Sequence, residues 1–503
     1  MDKWMNFKSM GWFFRVAFCL GLCLAGLFRP NGWAQELRSD RSYIGSPGAI
    51  HMHSKFSSGD LTLQGLADEA RKKGIRYLIV TDHDLVVMEY GLFPLRNVIC
   101  KREQLPSIMQ AGPEVYLDAI GKVNKSQQDV LIIPGAQSSA YYYWTGNPLK
   151  KDLTAHEYRS EILLVGWSDP SFFKDLPILH NDLSFRLFYH HLPEVVFPAV
   201  ALLLSLFLVC CSPKRWLGWL ALTLSVLFLL NSRPLSATRF TAYDGPQGTA
   251  PFQDLIDYAK KNGVLTIWAH PESSFSNEGE KYGPIYLKNE KYVKHMLASE
   301  GWTGFSALYA DESTAHHPGG AWDKMLGQYC RGERAQPVWA ISEDDFHGPD
   351  KGIPLDNFLT IAWVEKESQK DILDALSAGR FYGVQQFYGA QQQDGKGLRL
   401  DSFTIETVEG QTAWSGESVV TSGDPVVSAA IRLSDNGSVP VKVRIIRNGE
   451  VWTEVEGNTP ITISKPDSVS NASKTYYRIE VQFQSTTALL TNPIFVEKKR
   501  SET

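Results

Sequence analysis

Two histidines one residue apart, His51 and His53, stand at the end of a short apolar run, Ala49-Ile50-His51-Met52-His53-Ser54. Side chains alternate along a strand, so both imidazoles face one side, spaced to hold a single metal ion. The pair alone is equally what two surface histidines look like in a chain with 12 histidines. Repetition changes the balance. Three later apolar runs also stop on a histidine: one ends Thr81-Asp82-His83, one ends Trp268-Ala269-His270, and one ends Asp344-Asp345-Phe346-His347. Imidazoles and carboxylates at successive strand ends are what a barrel with its site at the strand C-termini presents. The chemistry open to such a cluster is the binding of divalent cations, and through them the activation of water.

The elements around these residues follow one grammar. Leu63, Leu66, Ala67 and Ala70 recur at helical spacing, and Arg71-Lys72-Lys73-Gly74 closes that helix before the strand to His83. Phe252, Leu255, Ile256 and Ala259 do the same ahead of Lys260-Lys261-Asn262-Gly263 and the strand to His270. A helix delivering the chain into a strand with a functional end is one step of an α/β barrel. The runs Val130–Gln137 and Glu161–Gly166 read as buried strands, and Ile372–Ser377 as a last helix closed by Gly379. From about Gly395 the pattern becomes short strands separated by Asn436-Gly437 and Asn448-Gly449 turns, which predicts a β-sandwich over 396–503.

At 503 residues the chain has room for two or three domains. Its net charge of −5 and lack of long basic runs argue against binding to a nucleic-acid backbone. Residues 1–34 have the form of a secretory signal or N-terminal anchor: Lys3, Lys8 and Arg15, an apolar run, then Gly32-Trp33-Ala34 with cleavage expected after Ala34. Within 183–238 lie two nearly uncharged runs, Val195–Cys211 and Trp216–Leu230, separated by Ser212-Pro213-Lys214-Arg215. These predict a transmembrane helical hairpin with Lys214 and Arg215 on the cytoplasmic side. The expected location is therefore a bacterial-type cell envelope, with the hairpin in the inner membrane and the catalytic part in the periplasm.

His51-x-His53-Ser54, Thr81-Asp82-His83-Asp84, Ala269-His270-Pro271 and Asp345-Phe346-His347 together resemble the four signature motifs of the PHP (polymerase and histidinol phosphatase) superfamily. Trp322–Leu326, Ala375–Arg380, Tyr476-Tyr477-Arg478 and Thr491-Asn492-Pro493 are similar to its carbaryl-hydrolase-like branch. The likeness covers 42–182 and 239–392, so the apolar hairpin reads as an insertion in a distorted (β/α)7 barrel. It implies one to three divalent ions (zinc, manganese or iron) at the strand ends. His51, His53 and Asp345 match the positions holding the first ion, His83 and His347 a further one, and His270 the remaining one. Asp345 and His270 are the residues it implies for catalysis. The implied activity is a metal-dependent hydrolase acting on a small anionic phosphoester; an ester, carbamate or amide, or a degenerate barrel that only binds, stand as alternatives.

Three positions depart from the family pattern. Ser58 stands where Asp is usual, Gln137 where a bridging Glu is usual, and Glu161 where His is usual. An amide is a poor bridge between cations, while Glu161 can restore a negative charge. His156, nearby on what reads as a loop, is an alternative to Glu161. Arg380 can meet an anionic substrate or pair with a barrel carboxylate. Asp82 and Asp84 flank His83 and can orient its ring. The pairs His190-His191 and His316-His317 read as structural, and Tyr141-Tyr142-Tyr143-Trp144 as a pocket wall or packed loop. Cys100 and Cys330 are expected as free buried thiols. No phosphate-binding glycine loop and no serine-nucleophile elbow is present.

Overall fold

The computed structural model describes residues 43–273, 280–388, 395–468 and 474–499. The signal or anchor expected over 1–34 lies outside these residues. The fold is mixed α/β, with a large sheet and a strand-rich C-terminal region.

Strand β1 (Ile44–Met52) pairs in parallel with β2 (Tyr77–Val80), and β2 with β3 (Leu131–Ser138). Strand β4 (Ile162–Val165) is antiparallel to both β3 and β5 (Leu265–Trp268). Parallel pairing resumes from β5 to β6 (Gly304–Leu308) and on to β7 (Trp339–Ser342). Past β7 the chain returns to β1: Asp344 N donates to Ile50 O (3.1 Å), Phe346 N to His51 O (3.0 Å) and His53 N to Phe346 O (2.9 Å). The direction of β4 departs from a uniform β/α order. No α-helix lies between β3 and β4, only a 3-10 turn at Pro148–Lys150 and two short strands, and β4 runs antiparallel so that Glu161 comes to the site from the N-terminal end of its strand.

The two amphipathic helices form where the apolar spacing places them. Helix α1 (Leu63–Lys72) is capped by Thr62, which accepts from Gly65 N, and it buries Leu63, Leu66, Ala67 and Ala70. Ala250–Lys261 buries Phe252, Leu255, Ile256 and Ala259, then feeds β5. Each large apolar side chain fully buried this way contributes about 1.5–3 kcal/mol.

The apolar runs form two consecutive helices, Phe188–Cys211 and Arg215–Asn231. The first is long and apolar enough to cross a membrane; the second is a shorter apolar helix. They pack closely, because a Cβ on Gly218 would come within 2.6 Å of Val209 N. Their apolar side chains are exposed or half-buried, and none is fully buried.

The C-terminal strands pair into the same sheet. Phe358–Val364 pairs with β1, Phe381–Tyr388 pairs with Phe358–Val364, and both Gly395–Glu406 and Thr486–Thr491 pair with Phe381–Tyr388. The tail is locked on by Arg478, wholly buried, whose Nε and Nη2 donate to Asp323 at 2.8 and 2.6 Å. Asn492 Oδ1 accepts from Ala340 N at 2.9 Å. The Trp322–Leu326 and Tyr476-Tyr477-Arg478 stretches thus meet as packing partners. The free Cys330 is partly buried, whereas Cys100 is exposed, contrary to the expected buried thiol, because no other element covers its strand Cys100–Leu105.

Candidate metal centre

His51, His53, His83, His270, Asp345 and His347, drawn from four separate strand ends, meet at one rim. The ring centroids of His53 and His347 are 4.2 Å apart, of His53 and His83 4.8 Å, and of His51 and His270 5.5 Å. Their ligand atoms form two groups, His53–His83–His347 and His51–His270–Asp345. This grouping differs from the one the resemblance implies, in which His53 sides with His51. Asp345 Oδ1 lies within reach of both: 3.3 Å from His51 Nε2, 3.4 Å from His53 Nε2 and 3.7 Å from His347 Nδ1.

The donor atoms fit divalent cations. His51 Nε2, His53 Nε2, His270 Nε2 and Asp345 Oδ1 are buried without a hydrogen-bond partner. Leaving such atoms unmet costs roughly 1–3 kcal/mol each. Four in one cluster are the natural donor set for a cation that prefers nitrogen and oxygen ligands.

The backbone is bent to present them. His51, His270 and Asp345 have φ of 72°, 23° and 49°, in the left-handed region that non-glycine residues seldom occupy. The β1–β2 register also shifts between Ile50 and Met52, so His51 sits on a bulge. Strain of this kind costs about 1–3 kcal/mol per residue and concentrates at functional sites.

The residues around the rings set their charge. Burial works against ionisation of Asp345, but His51, His53 and His270 hold its carboxyl well below the usual range. Burial pushes His53 down to about 4 and His83 down to about 3, which keeps both imidazoles neutral and able to donate a lone pair. Burial also opposes the charge on His270, yet Glu161, with Oε2 3.3 Å from His270 Nε2, brings its pKa up to about 10. Burial opposes the charge on Glu161 as well, but the His270 ring holds its carboxyl below the usual range.

Of the other departures, Ser58 Oγ lies 3.3 Å from His83 Nε2 at the exposed edge. Gln137 is buried, its backbone bridged to His83, and its Oε1 has no partner. Asp82 does not orient His83. It accepts from Ser54 N (2.8 Å), Ser54 Oγ (2.6 Å) and Ser57 Oγ (2.5 Å), tying down the turn after His53. Gly59 completes that turn, since a Cβ there would strike the His53 carbonyl at 2.1 Å.

Some sequence candidates lie elsewhere. Arg380 is beside Tyr43, and its carbonyl accepts from Trp363 N, opposite the start of β1. Six residues of strand, about 20 Å, separate that level from His51, so Arg380 does not reach the cluster. His156 is on a short strand, Thr154–His156, not a loop, where it contacts Thr145 Oγ1 and stacks on Tyr143. His191 contacts Glu194 and the Thr238 carbonyl, and His316 contacts Thr487. Tyr141, Tyr142 and Trp144 are packed, and Trp144 Nε1 donates to Glu89 O at 2.8 Å.

One residue escaped the sequence reading. Glu343 is fully buried behind the rings, with Oε2 3.0 Å from His51 Nδ1 and Oε1 accepting from His270 N at 2.8 Å. Burial opposes its charge, but His51 holds its carboxyl below the usual range. A carboxylate two residues before Asp345 is the only signal the sequence offered, and it resembles any polar residue near a strand end.

No protein-family model matches the chain, and no curated protein does. Solved structures are similar at low identity. A two-domain protein from Bacteroides vulgatus, containing a predicted PHP-like metal-dependent phosphoesterase, shares 12% identity at a TM-score of 0.36, over 90% of this chain and 95% of its own. A candidate metal-dependent phosphoesterase from Bifidobacterium adolescentis shares 14% at 0.27, over 61% of this chain and 89% of its own. An amidohydrolase from Chromobacterium violaceum, solved with sulfate and without metal, shares 12% at 0.25 over the same fractions. At these scores the functional reading rests on the residues themselves.

Proposed function

We propose that the chain is a metal-dependent hydrolase of the PHP type, acting on phosphoesters and tethered to a membrane by its two apolar helices. The observation carrying this reading is the cluster of buried donor atoms on His51, His53, His270 and Asp345, none of which makes a hydrogen bond. The ring of pairings from β1 to β7 and back to β1 favours a distorted seven-stranded barrel around them. His51, His270 and Asp345 would hold one divalent ion, and His53, His83 and His347 another, with Asp345 between them. Bound divalent ions lower the pKa of water and polarise the bond to be cut. In this reading Glu343 fixes the rotation of the His51 ring. Glu161 keeps His270 in place and offsets cationic charge. Asp345, held ionised by the surrounding histidines while its side chain stays 32% accessible, would serve as an anionic ligand open to the substrate side.

The phosphoester preference comes from the four-motif resemblance, and the same site can take an aryl ester, carbamate or amide. Elemental analysis of the purified chain, followed by hydrolysis of p-nitrophenyl phosphate and of aryl esters with and without a chelator, tests the reading. Bound zinc, manganese or iron and chelator-sensitive phosphate release that His53→Ala abolishes are expected; full activity in metal-free protein would end it. Gln137 favours a second reading, a barrel that binds without turnover. Activity appearing only in Gln137→Glu, Ser58→Asp protein would select it.

The helix of 24 residues is about 36 Å long, enough to cross a hydrocarbon core of about 30 Å. With Lys214 and Arg215 between the helices retained in the cytoplasm, the metal centre faces the periplasm. Protease protection of the 212–215 turn in intact spheroplasts, with cleavage of the C-terminal region from outside, checks that orientation.

A further inference from the structure

The antiparallel hairpin of Val86–Gly91 and Cys100–Leu105 projects outward just after His83, and its tip is unusual. Tips of soluble hairpins are built from Gly, Asn, Asp and Ser. This one reads Leu92-Phe93-Pro94-Leu95, with Phe93 82% exposed and Leu92, Val98 and Ile99 also exposed. The tip is docked at a defined level. Asn97 N donates to Asn231 Oδ1 at 2.8 Å, and Asn97 Nδ2 donates to Asn231 O at 2.5 Å. Asn231 is the last residue of the second apolar helix. Arg233, just beyond it, pairs with Glu89 of the hairpin and lies 3.5 Å from Asp182.

The segment leading into the first apolar helix has the same character. Leu183, Phe185 and Tyr189 are exposed, Tyr189 at 87%, and Ser184 N donates to Leu235 O beside the end of the second helix. Exposed apolar side chains therefore border the place where both helices meet the rest of the chain, and they continue the apolar surface of those helices. Arg96, Lys101, Arg102 and Arg186 stand on these same segments, where Lys101 pairs with Glu103, Arg102 with Glu89 and Arg186 with Asp254. Aromatic rings and cations at the end of an apolar span are the composition of a bilayer interface.

We infer that the 86–105 hairpin, with Phe185 and Tyr189, is a second membrane contact that seats in the headgroup region of the same bilayer the helices enter. This goes beyond the tether of the preceding section and rests on its membrane reading. Its consequence is positional. Phe93 lies ten residues beyond His83, a reach of at most about 33 Å for extended chain, so the hairpin limits the distance of the metal centre from the headgroups to about that length. The tether alone leaves the tilt of the soluble part free; the hairpin fixes it.

The test uses the full chain in phosphatidylcholine/phosphatidylglycerol vesicles containing doxyl-labelled lipids. Phe93→Cys, Leu203→Cys and Val451→Cys, each in a cysteine-free background, carry an environment-sensitive fluorophore. Shallow doxyl lipids are expected to quench position 93, deep ones position 203 within the first helix, and neither position 451 in the C-terminal strands. Quenching at 203 with position 93 as bright as 451 overturns the second contact while leaving the helices in the bilayer. Absence of quenching at both 93 and 203 removes the membrane reading and this inference with it. A signal at 93 that ignores lipid but changes with protein concentration assigns the patch to a second copy of the chain and also overturns it.

Discussion

Glu343 carries the sharpest prediction. Its carboxylate uses one oxygen for each of two donors, the His51 ring and the His270 backbone N–H. Glu343→Gln keeps the size but leaves a single acceptor oxygen, and its amide NH2 must face one of two groups that also donate. A hydrogen bond to a charged partner is lost, worth about 1.5–3 kcal/mol, and the His51 ring or the His270 backbone is freed to turn. Residues that orient metal ligands from behind cost about 10- to 100-fold in metal affinity or activity when changed. Titration of zinc or manganese into metal-free protein against a competing chelator should therefore show affinity weakened by that factor. The thermal midpoint of the metal-free variant, measured alongside, separates weakened coordination from loss of fold. Affinity within about twofold of the parent, with unchanged activity, would refute the role given to Glu343.

Gln137→Glu should raise the number of ions retained after dialysis and tighten their binding by about tenfold, as a charged group near the cluster would; elemental analysis reads it, and unchanged content would place Gln137 outside the site. Arg478→Met leaves Asp323 buried without its cation and should cost about 3–5 kcal/mol in denaturant unfolding; an Arg478→Met, Asp323→Leu chain should recover part of that. Burial, with His317 and Arg478 nearby, pushes His316 down to about 3. The unfolded chain binds a proton near pH 6.5 that the folded one refuses, so this contribution is intact above pH 6.5 and declines as the pH falls toward 3. His316→Gln should flatten the acid limb of stability by about 1.4 kcal/mol per pH unit between pH 6 and pH 4, followed by denaturant midpoints.

The candidate ligand residues, their order and the two amphipathic helices can be read in the chain, because side-chain chemistry and helical period are local properties. The histidine pair at 51 and 53 was read from strand alternation, and the rings do converge. The structure reaches that convergence through a bulge and a left-handed φ at His51, which no period announces. Partners far apart in sequence were beyond local reading. Glu343 meets His51 across 292 residues, and Arg478 meets Asp323 across 155. Arg380 looked placed for an anion but follows a helix into the far end of the sheet. The antiparallel course of β4, which turns Glu161 toward His270, was decided by which strand edges remained to be paired. Type and spacing name what can bind. Distance, direction and burial belong to the packed chain, because they depend on which strand edges close on one another.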